Sequence, residues 1–151
     1  MAKRMLVPLD QTLEAEAVLP FVADAMSAGA TVRLLHVAPQ PANVVDVDGY
    51  IVAYADQELS RLEAEAFDYL RTVEARLPAG APEFVVRFGD PVDEILLETK
   101  AFGADLVVLT TGHHGGLSRL LVGSTAEQIC RRSDCTMVIV RPGLGVSSDA
   151  A

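Results

Sequence analysis

Five short apolar segments, separated by stretches with helical periodicity, constrain the fold of this chain more than any other feature. Most of them are continuously apolar rather than alternating, as expected of strands that are covered on both faces of a parallel sheet. They are MLVPL (5–9), TVRLLHV (31–37), EFVVRF (83–88), DLVVL (105–109) and TMVIVR (136–141). Their alternation with helical segments predicts an α/β fold, a doubly wound five-stranded parallel sheet with helices on both faces.

Helical spacing of apolar residues predicts where the connecting helices lie. The four segments are 13–27, 55–77, 91–102 and 124–133. The first is expected to bury one face, formed by Val18, Phe21, Val22 and Ala25. Thr12 is placed to cap this helix, and Pro20 inside it predicts a kink, because proline removes a backbone hydrogen bond. The third helix opens with Pro91 and nearby acids, both of which favour a helix start.

Length and composition limit the classes of function. The 151 residues predict a single domain over 1–142 and a flexible C-terminal tail over 143–151. The net charge of −9 and pI near 4.7 disfavour a nucleic-acid partner, which requires a basic surface. The chain lacks an apolar run of membrane-spanning length, and its N-terminus does not resemble a signal peptide, so a cytoplasmic protein without membrane attachment is expected.

The roles of one irregular segment and of the two cysteines have more than one interpretation. Residues 39–54, the least regular segment, are either a flap over a binding site or a plain surface connection. Cys130 and Cys135 are interpreted as two reduced thiols, because a lone pair of cysteines is weak evidence for metal or redox chemistry.

The carboxyl ends of the predicted strands are where a ligand is expected, at the point where the strand order reverses. Asp10 ends the first strand and Val37 lies at the end of the second, while the glycine-rich loop 111–124 follows the fourth. Glycines let backbone amides approach phosphate oxygens, and a helix N-terminus adds partial positive charge. Each residue has a structural alternative: Asp10 could satisfy the first helix start, Gly112 could serve a turn, and Gly123 with Ser124 could cap a helix.

The residues favour a binding site over a catalytic one. The adjacent His113 and His114 point apart in an extended segment, which argues against a metal site. The Gly-x-Ser-x-Gly motif of hydrolases and the Walker phosphate-binding motif are both missing from the sequence. A weak ATPase is the remaining enzymatic alternative. Any turnover by it would be slow, because no base or arginine finger is evident.

The chain resembles the universal stress protein family over residues 3–142. Four stretches carry the resemblance: KRMLVPLDQT, TVRLLHVAP, FGDPVDEIL and ADLVVLTTGHHGGLSRLLVGSTAEQICRRSDCTMVIVRP. It implies a Rossmann-like fold and a homodimer joined through the last strand, 136–141. It also implies one of two subtypes, of which one binds ATP or AMP, with or without Mg²⁺, and the other, the UspA-type branch, does not.

The loop after the fourth strand combines features of both subtypes. The nucleotide-binding pattern is Gly-x2-Gly-x9-Gly-[Ser/Thr], whereas seven residues, 116–122, separate Gly115 from Gly123 here. Two fewer residues remove about 6–7 Å of reach, which affects a triphosphate more than a monophosphate. By resemblance, Asp10 would serve the adenosine, the Val37 backbone the adenine, and the loop the ribose and phosphates. The implied nucleotide-binding residues are Asp10, Val37, Gly112, Gly115, Gly123, Ser124 and Thr125.

The sequence therefore predicts a non-catalytic, dimeric, adenine-nucleotide-binding protein of the stress response. The alternative is a UspA-type dimeric interaction protein that binds no nucleotide. Both hypotheses predict the same fold, so the fold by itself does not distinguish them.

Overall fold

The structure of the chain, a computed structural model, describes residues 3–110 and 124–141. Its central feature is a five-stranded parallel sheet with the strand order β5-β2-β1-β6-β7, accompanied by a separate two-stranded pair, β3-β4. The strands are β1 Arg4–Pro8, β2 Thr31–Ala38, β3 Val44–Val45, β4 Ile51–Ala53, β5 Glu83–Phe88, β6 Leu106–Thr110 and β7 Thr136–Val140. The helices are the 3-10 helix Ala15–Val18, α1 Leu19–Ser27, α2 Ala55–Glu74, α3 Pro91–Phe102 and α4 Ser124–Arg132. The predicted α/β fold and all five sheet strands are confirmed.

Two hydrophobic cores cover the two faces of the sheet, as a doubly wound arrangement requires. One core packs the 3-10 helix, α1 and α2 against side chains that include Val7 and Leu34. The other packs α3 and α4 against side chains that include Leu6 and Leu35. Neighbouring residues along a strand point to opposite faces, so each continuous apolar run supplies both cores.

The first helical segment differs from the prediction. It divides into a 3-10 helix and α1, and Pro20 lies in the first turn of α1, where its missing N–H is tolerated. A kink inside the α-helix was therefore the wrong expectation. Phe21 is 40% exposed rather than buried, because it lies at the edge of the face that buries Val18 and Val22. The Thr12 hydroxyl accepts a hydrogen bond from the Ala15 amide at 3.1 Å, so Thr12 does cap the segment.

The third helix begins and ends as its sequence indicates. Asp90 has extended backbone, and its carboxylate accepts a hydrogen bond from the Asp93 amide at 3.1 Å. Pro91 follows as the first helical residue. Gly103 ends the helix in the left-handed conformation (φ 67°), which costs glycine little. These local signals fix the position of α3 along the chain.

Replacing the Asp90 cap should destabilise the protein measurably. Asp90→Ala leaves a helix amide without its partner, and a loss of about 1 kcal/mol in the free energy of unfolding is expected. Asp90→Asn should retain most of the stability, because asparagine caps helices equally well. Urea denaturation of the three proteins measures the effect. Equal stability of the alanine variant and the wild type would contradict the assigned role.

Residues 39–54 contain an antiparallel hairpin that the sequence did not predict. β3 and β4 pair around a turn in which Asp46 Oδ1 accepts hydrogen bonds from the Asp48 and Tyr50 amides, both at 2.9 Å. Val47 and Tyr50 are fully or largely exposed. The two strands have only two and three residues, too few to produce the longer apolar runs of the sheet. Within the two described ranges, no helix combines the length and the apolar character needed to cross a membrane.

Candidate functional site

A cavity of about 300 Å³ lies at the carboxyl end of β1, where the strand order reverses. The chain runs outward from β1 through β2 to β5 and then returns to β6 on the opposite side of β1. The loops after β1 and β6 consequently diverge and leave a crevice between them. The cavity has an apolar wall formed by Leu35, Val37, Pro91, Ile95 and Leu109. Its polar side chains are Asp10, Thr12, Glu14, Thr110 and Thr125.

Three of the residues predicted from the sequence line this cavity, although they are distant in the chain. Asp10 follows β1, Val37 lies near the end of β2, and Thr125 is in the first turn of α4. Ser124 is the first residue of α4. Gly112, Gly115 and Gly123 lie outside the described residues, as do His113 and His114.

The Asp10 carboxylate organises the turn that follows β1. Its Oδ1 atom accepts hydrogen bonds from the Thr12 amide at 3.0 Å and from the Thr12 hydroxyl at 2.6 Å. Thr12 in turn caps the 3-10 helix. Asp10 thus has the structural role that the sequence left open. Its second oxygen, Oδ2, receives no hydrogen bond from the described residues and lies on a side chain that borders the cavity.

His36 contacts the same turn through Leu9 and Gln11, and it was not predicted from the sequence. The side chain is 8% exposed, its Nδ1 lies 2.8 Å from the Leu9 carbonyl oxygen, and its Nε2 lies 3.4 Å from Gln11 Nε2. Tyr69 of α2 packs an edge against its ring, with the centroids 6.4 Å apart. The signal in the sequence was a polar residue inside the otherwise apolar run LLHV, a pattern that calls for a buried hydrogen-bonding partner.

The cavity region is acidic. Asp10 and Glu14 both line it, and Glu14 was not among the predicted site residues. Burial raises the pKa of the Tyr69 phenol, and the negative charges of Glu16 and Asp10 raise it further. Among the described residues, no group of three or more histidine, cysteine, aspartate or glutamate side chains could hold a metal ion.

The N-terminus of α4 borders the cavity through Thr125. The first amides of a helix lack intrahelical acceptors, and the helix dipole adds partial positive charge at that end. This end of the cavity can therefore accept an anion, whereas the wall with Val37 and Ile95 suits a flat apolar group. The described lining includes no residue of segment 39–54, which favours the interpretation of that segment as a surface connection.

The two cysteines lie away from the cavity lining. Cys130 is exposed on α4, and Cys135, half-buried before β7, donates from Sγ to the Ala104 carbonyl at 3.3 Å. Both are free cysteines. Burial raises the pKa of the Cys135 thiol, and the charge of Asp105 adds to that effect, so the reactive thiolate form is disfavoured.

Solved structures with the same fold cover nearly the whole chain. The structure of hypothetical protein MJ0577 aligns with a TM-score of 0.75 and 20% identity, over 95% of this chain and 98% of that one. UspA from Lactobacillus plantarum aligns with a TM-score of 0.69 and 24% identity, over 92% and 97% of the two chains. A universal stress protein in complex with cAMP aligns with a TM-score of 0.63 and 18% identity, over 94% and 98%. At these identities the likeness shows the fold alone.

Sequence comparison identifies the family. A curated relative, Universal stress protein MJ0531 from Methanocaldococcus jannaschii, is 36% identical over 53 residues. That match covers 35% of this chain and only 31% of the relative's length. The family model described as the universal stress protein family matches residues 1–141. With the five-stranded parallel sheet and the cavity at its switch point, this match establishes that the chain belongs to the universal stress protein family.

Proposed function

We propose that this protein binds an adenine nucleotide, AMP or ATP, in the cavity beside β1 and acts as a non-catalytic module of the cytoplasmic stress response. The observation that carries the proposal is the composition of that cavity. Its lining combines an apolar wall, the N-terminus of α4 and the Asp10 carboxylate. This arrangement matches the three chemical parts of a nucleotide. A related fold has been solved in complex with cAMP, which also supports it.

Each part of the nucleotide has a matching group in the cavity. The adenine would pack against Val37, Pro91 and Ile95, and the Val37 backbone would meet its polar edge. The Asp10 carboxylate would accept a hydrogen bond from a ribose hydroxyl through Oδ2. The phosphate would lie at the start of α4, near Ser124 and Thr125, where helix amides favour an anion.

The phosphate end distinguishes the candidate ligands. AMP needs only the local groups at the start of α4, together with Gly123. ATP would also need the rest of the glycine loop, including Gly112 and Gly115. That loop is two residues shorter than the family pattern for nucleotide binding. ATP would also bring further negative charge toward Asp10 and Glu14, so Mg²⁺ would accompany it to screen the phosphates. We therefore expect AMP to bind at least as well as ATP.

Thermal unfolding of nucleotide-stripped protein tests the proposal. A ligand at about 100 times its dissociation constant adds roughly 2.7 kcal/mol to the native state, which corresponds to a rise in Tm of about 5–10 °C. Millimolar AMP and Mg-ATP are the ligands to use. Thr125→Glu should abolish the rise, because it places a carboxylate at the phosphate position without harming the first turn of α4.

Gln128→Glu is the matched control. It adds the same charge to the same helix at an exposed position that is not part of the cavity lining. The control should keep the full rise in Tm. Absence of any rise in the wild type with either nucleotide would contradict nucleotide binding.

That outcome would favour the alternative function, an interaction protein that needs no nucleotide. The exposed hairpin supports this alternative, because Val47, Tyr50 and Tyr54 present apolar surface to solvent.

We also propose a homodimer through β7, one of the two edge strands of the sheet. An edge strand offers unpaired backbone groups to a second chain. Light scattering after size exclusion tests this assembly, and a mass near the 16.1 kDa of one chain at micromolar concentration would contradict it.

A further inference from the structure

We propose that His36 and Gln11 form a positioning pair that fixes the turn after β1 and so holds Asp10 in its orientation at the cavity. The inference rests on the proposed function, since it concerns the affinity of that cavity for AMP. Neither His36 nor Gln11 is among the described residues that line the cavity. Both residues act through Asp10, which does line the cavity.

The contact with Leu9 shows which ring nitrogen of His36 donates. A backbone carbonyl can only accept, so Nδ1, at 2.8 Å from the Leu9 oxygen, must carry a proton. The Gln11 side chain lies against the other ring nitrogen, with its Nε2 atom 3.4 Å from His36 Nε2. One buried side chain thus holds two points of the turn, the carbonyl of Leu9 and the side chain of Gln11.

The turn needs this support because its backbone is strained. Gln11 has a φ of 69°, in a left-handed region that residues other than glycine rarely adopt. On one side of it, the Leu9 amide donates to the Leu35 carbonyl at 2.8 Å and continues the pairing of β1 with β2. On the other side, Thr12 bonds to Asp10. The reversal at Gln11 is what places Asp10 and Thr12 on the cavity side.

His36 is enclosed by groups that keep its position. Tyr69 of α2 lies against one edge of the ring. The ring itself is 8% exposed, so water does not compete effectively for its nitrogens. The charged groups that affect the neighbouring Tyr69 phenol are the carboxylates of Asp10 and Glu16 and the guanidinium of Arg76, which pairs with Glu16. The pair thus joins a buried imidazole to an exposed glutamine of the turn, in a partly buried contact.

The tautomer can be measured without any ligand. Two-bond proton–nitrogen correlation spectra of ¹⁵N-labelled protein distinguish a protonated Nδ1 from a protonated Nε2. We expect His36 to show the Nδ1–H pattern. An Nε2–H pattern would overturn the inference, because the Leu9 carbonyl would then have no donor from this ring.

Variants of Gln11 separate positioning from folding. Gln11→Gly relieves the backbone strain and removes the side-chain contact, so Tm should stay close to that of the wild type. The freed turn should weaken AMP binding by about three- to tenfold, the usual contribution of one hydrogen bond. Hydrogen exchange at the Thr12 amide, which bonds to Asp10, should accelerate in the same variant even without AMP.

Two substitutions of His36 provide the matched comparison. His36→Asn places an amide nitrogen near the position of Nδ1 and should keep the bond to Leu9, whereas His36→Gln reaches toward Gln11 and should lose it. Isothermal titration calorimetry should therefore give an AMP affinity for the asparagine variant closer to that of the wild type. Equal loss in both variants would indicate a merely structural role and would overturn the inference.

The remaining outcomes distinguish the inference from the proposed function. Unchanged AMP affinity in Gln11→Gly would overturn the positioning role and leave the proposed function intact. Failure of the wild type to bind AMP would overturn the proposed function. The positioning role of the pair would then be tested by the His36 tautomer and by hydrogen exchange at the Thr12 amide. An unchanged exchange rate in Gln11→Gly would overturn that role.

Discussion

Glu98→Ala is expected to lower the free energy of unfolding by about 3 kcal/mol. Removal of one member of a buried ion pair typically costs 3–5 kcal/mol, because it leaves a charge without compensation. The side chain of Glu98 is only 3% exposed and lies between two arginines, with Oε1 2.6 Å from Arg33 and Oε2 2.7 Å from Arg87. The expected loss lies at the low end of that range because each arginine keeps a second carboxylate.

The charges around Glu98 form a network that ties α3 to the sheet. Arg33 of β2 also pairs with Glu83 at 2.6 Å, and Arg87 of β5 also pairs with Glu94 at 2.9 Å. The hydrogen bond to Glu98 raises the pKa of Arg87 despite partial burial. Burial by itself would lower the pKa of Arg33, but its hydrogen bonds to Glu98 and Glu83 outweigh that effect and raise it. Both arginines therefore remain charged whenever the protein is folded.

The network also matters for the site, because α3 carries Pro91 and Ile95 to the cavity wall. Urea denaturation of Glu98→Ala measures the loss. Glu65→Ala is the control: its carboxylate pairs with Arg61 at 2.6 Å on the exposed surface of α2 and should contribute less than about 0.5 kcal/mol. Similar losses in the two variants would show that the buried network is not a major source of stability.

Leu34→Ala is expected to cost about 2–5 kcal/mol. Leu34 is fully buried in the middle of the sheet, where it pairs in register with Val7 of β1 and Phe84 of β5. Truncation removes apolar contacts and leaves a cavity that the packed neighbours fill only partly. The side chain packs in the core under α1 and α2, on the face opposite to α3. Its loss should therefore weaken the sheet without touching the cavity lining.

Leu97→Ala is the matched control for this prediction. The same atoms are removed from α3, but Leu97 is 52% exposed, so the change in stability should stay below about 1 kcal/mol. Denaturant titrations with equal slopes for all three proteins would allow direct comparison. A loss of less than 1 kcal/mol in Leu34→Ala would contradict the assignment of this residue to a tightly packed core.

Local signals explain why the elements could be predicted from the sequence. A strand that is covered on both faces is apolar at most positions, so the run LLHV and its counterparts indicate strands directly. The start of α3 was equally clear, since Asp90 and Pro91 satisfy the requirements of a helix N-terminus within three residues. Each of these features depends on neighbours in sequence.

The features that were missed each have a physical reason that the spacing of apolar residues does not show. Phe21 has the spacing of a core residue, but it lies at the edge of the face that buries Val18 and Val22 and is 40% exposed. The hairpin around Asp46 is held by a few hydrogen bonds of its turn rather than by an apolar pattern. His36 was not among the predicted site residues, because its contact with Gln11 forms only when β2 lies beside β1.

The sequence by itself determined the element types, the family and the residues at the strand ends, because each of these follows from periodicity, caps or local motifs. Only the tertiary structure decided that Asp10, Val37 and Thr125 border one cavity, and that His36 holds the turn behind it. The physical reason is that strand order and side-chain packing bring together residues from 25 positions apart, as with Gln11 and His36, to 115, as with Asp10 and Thr125. No local sequence pattern predicts these contacts, because they form only when the sheet has formed.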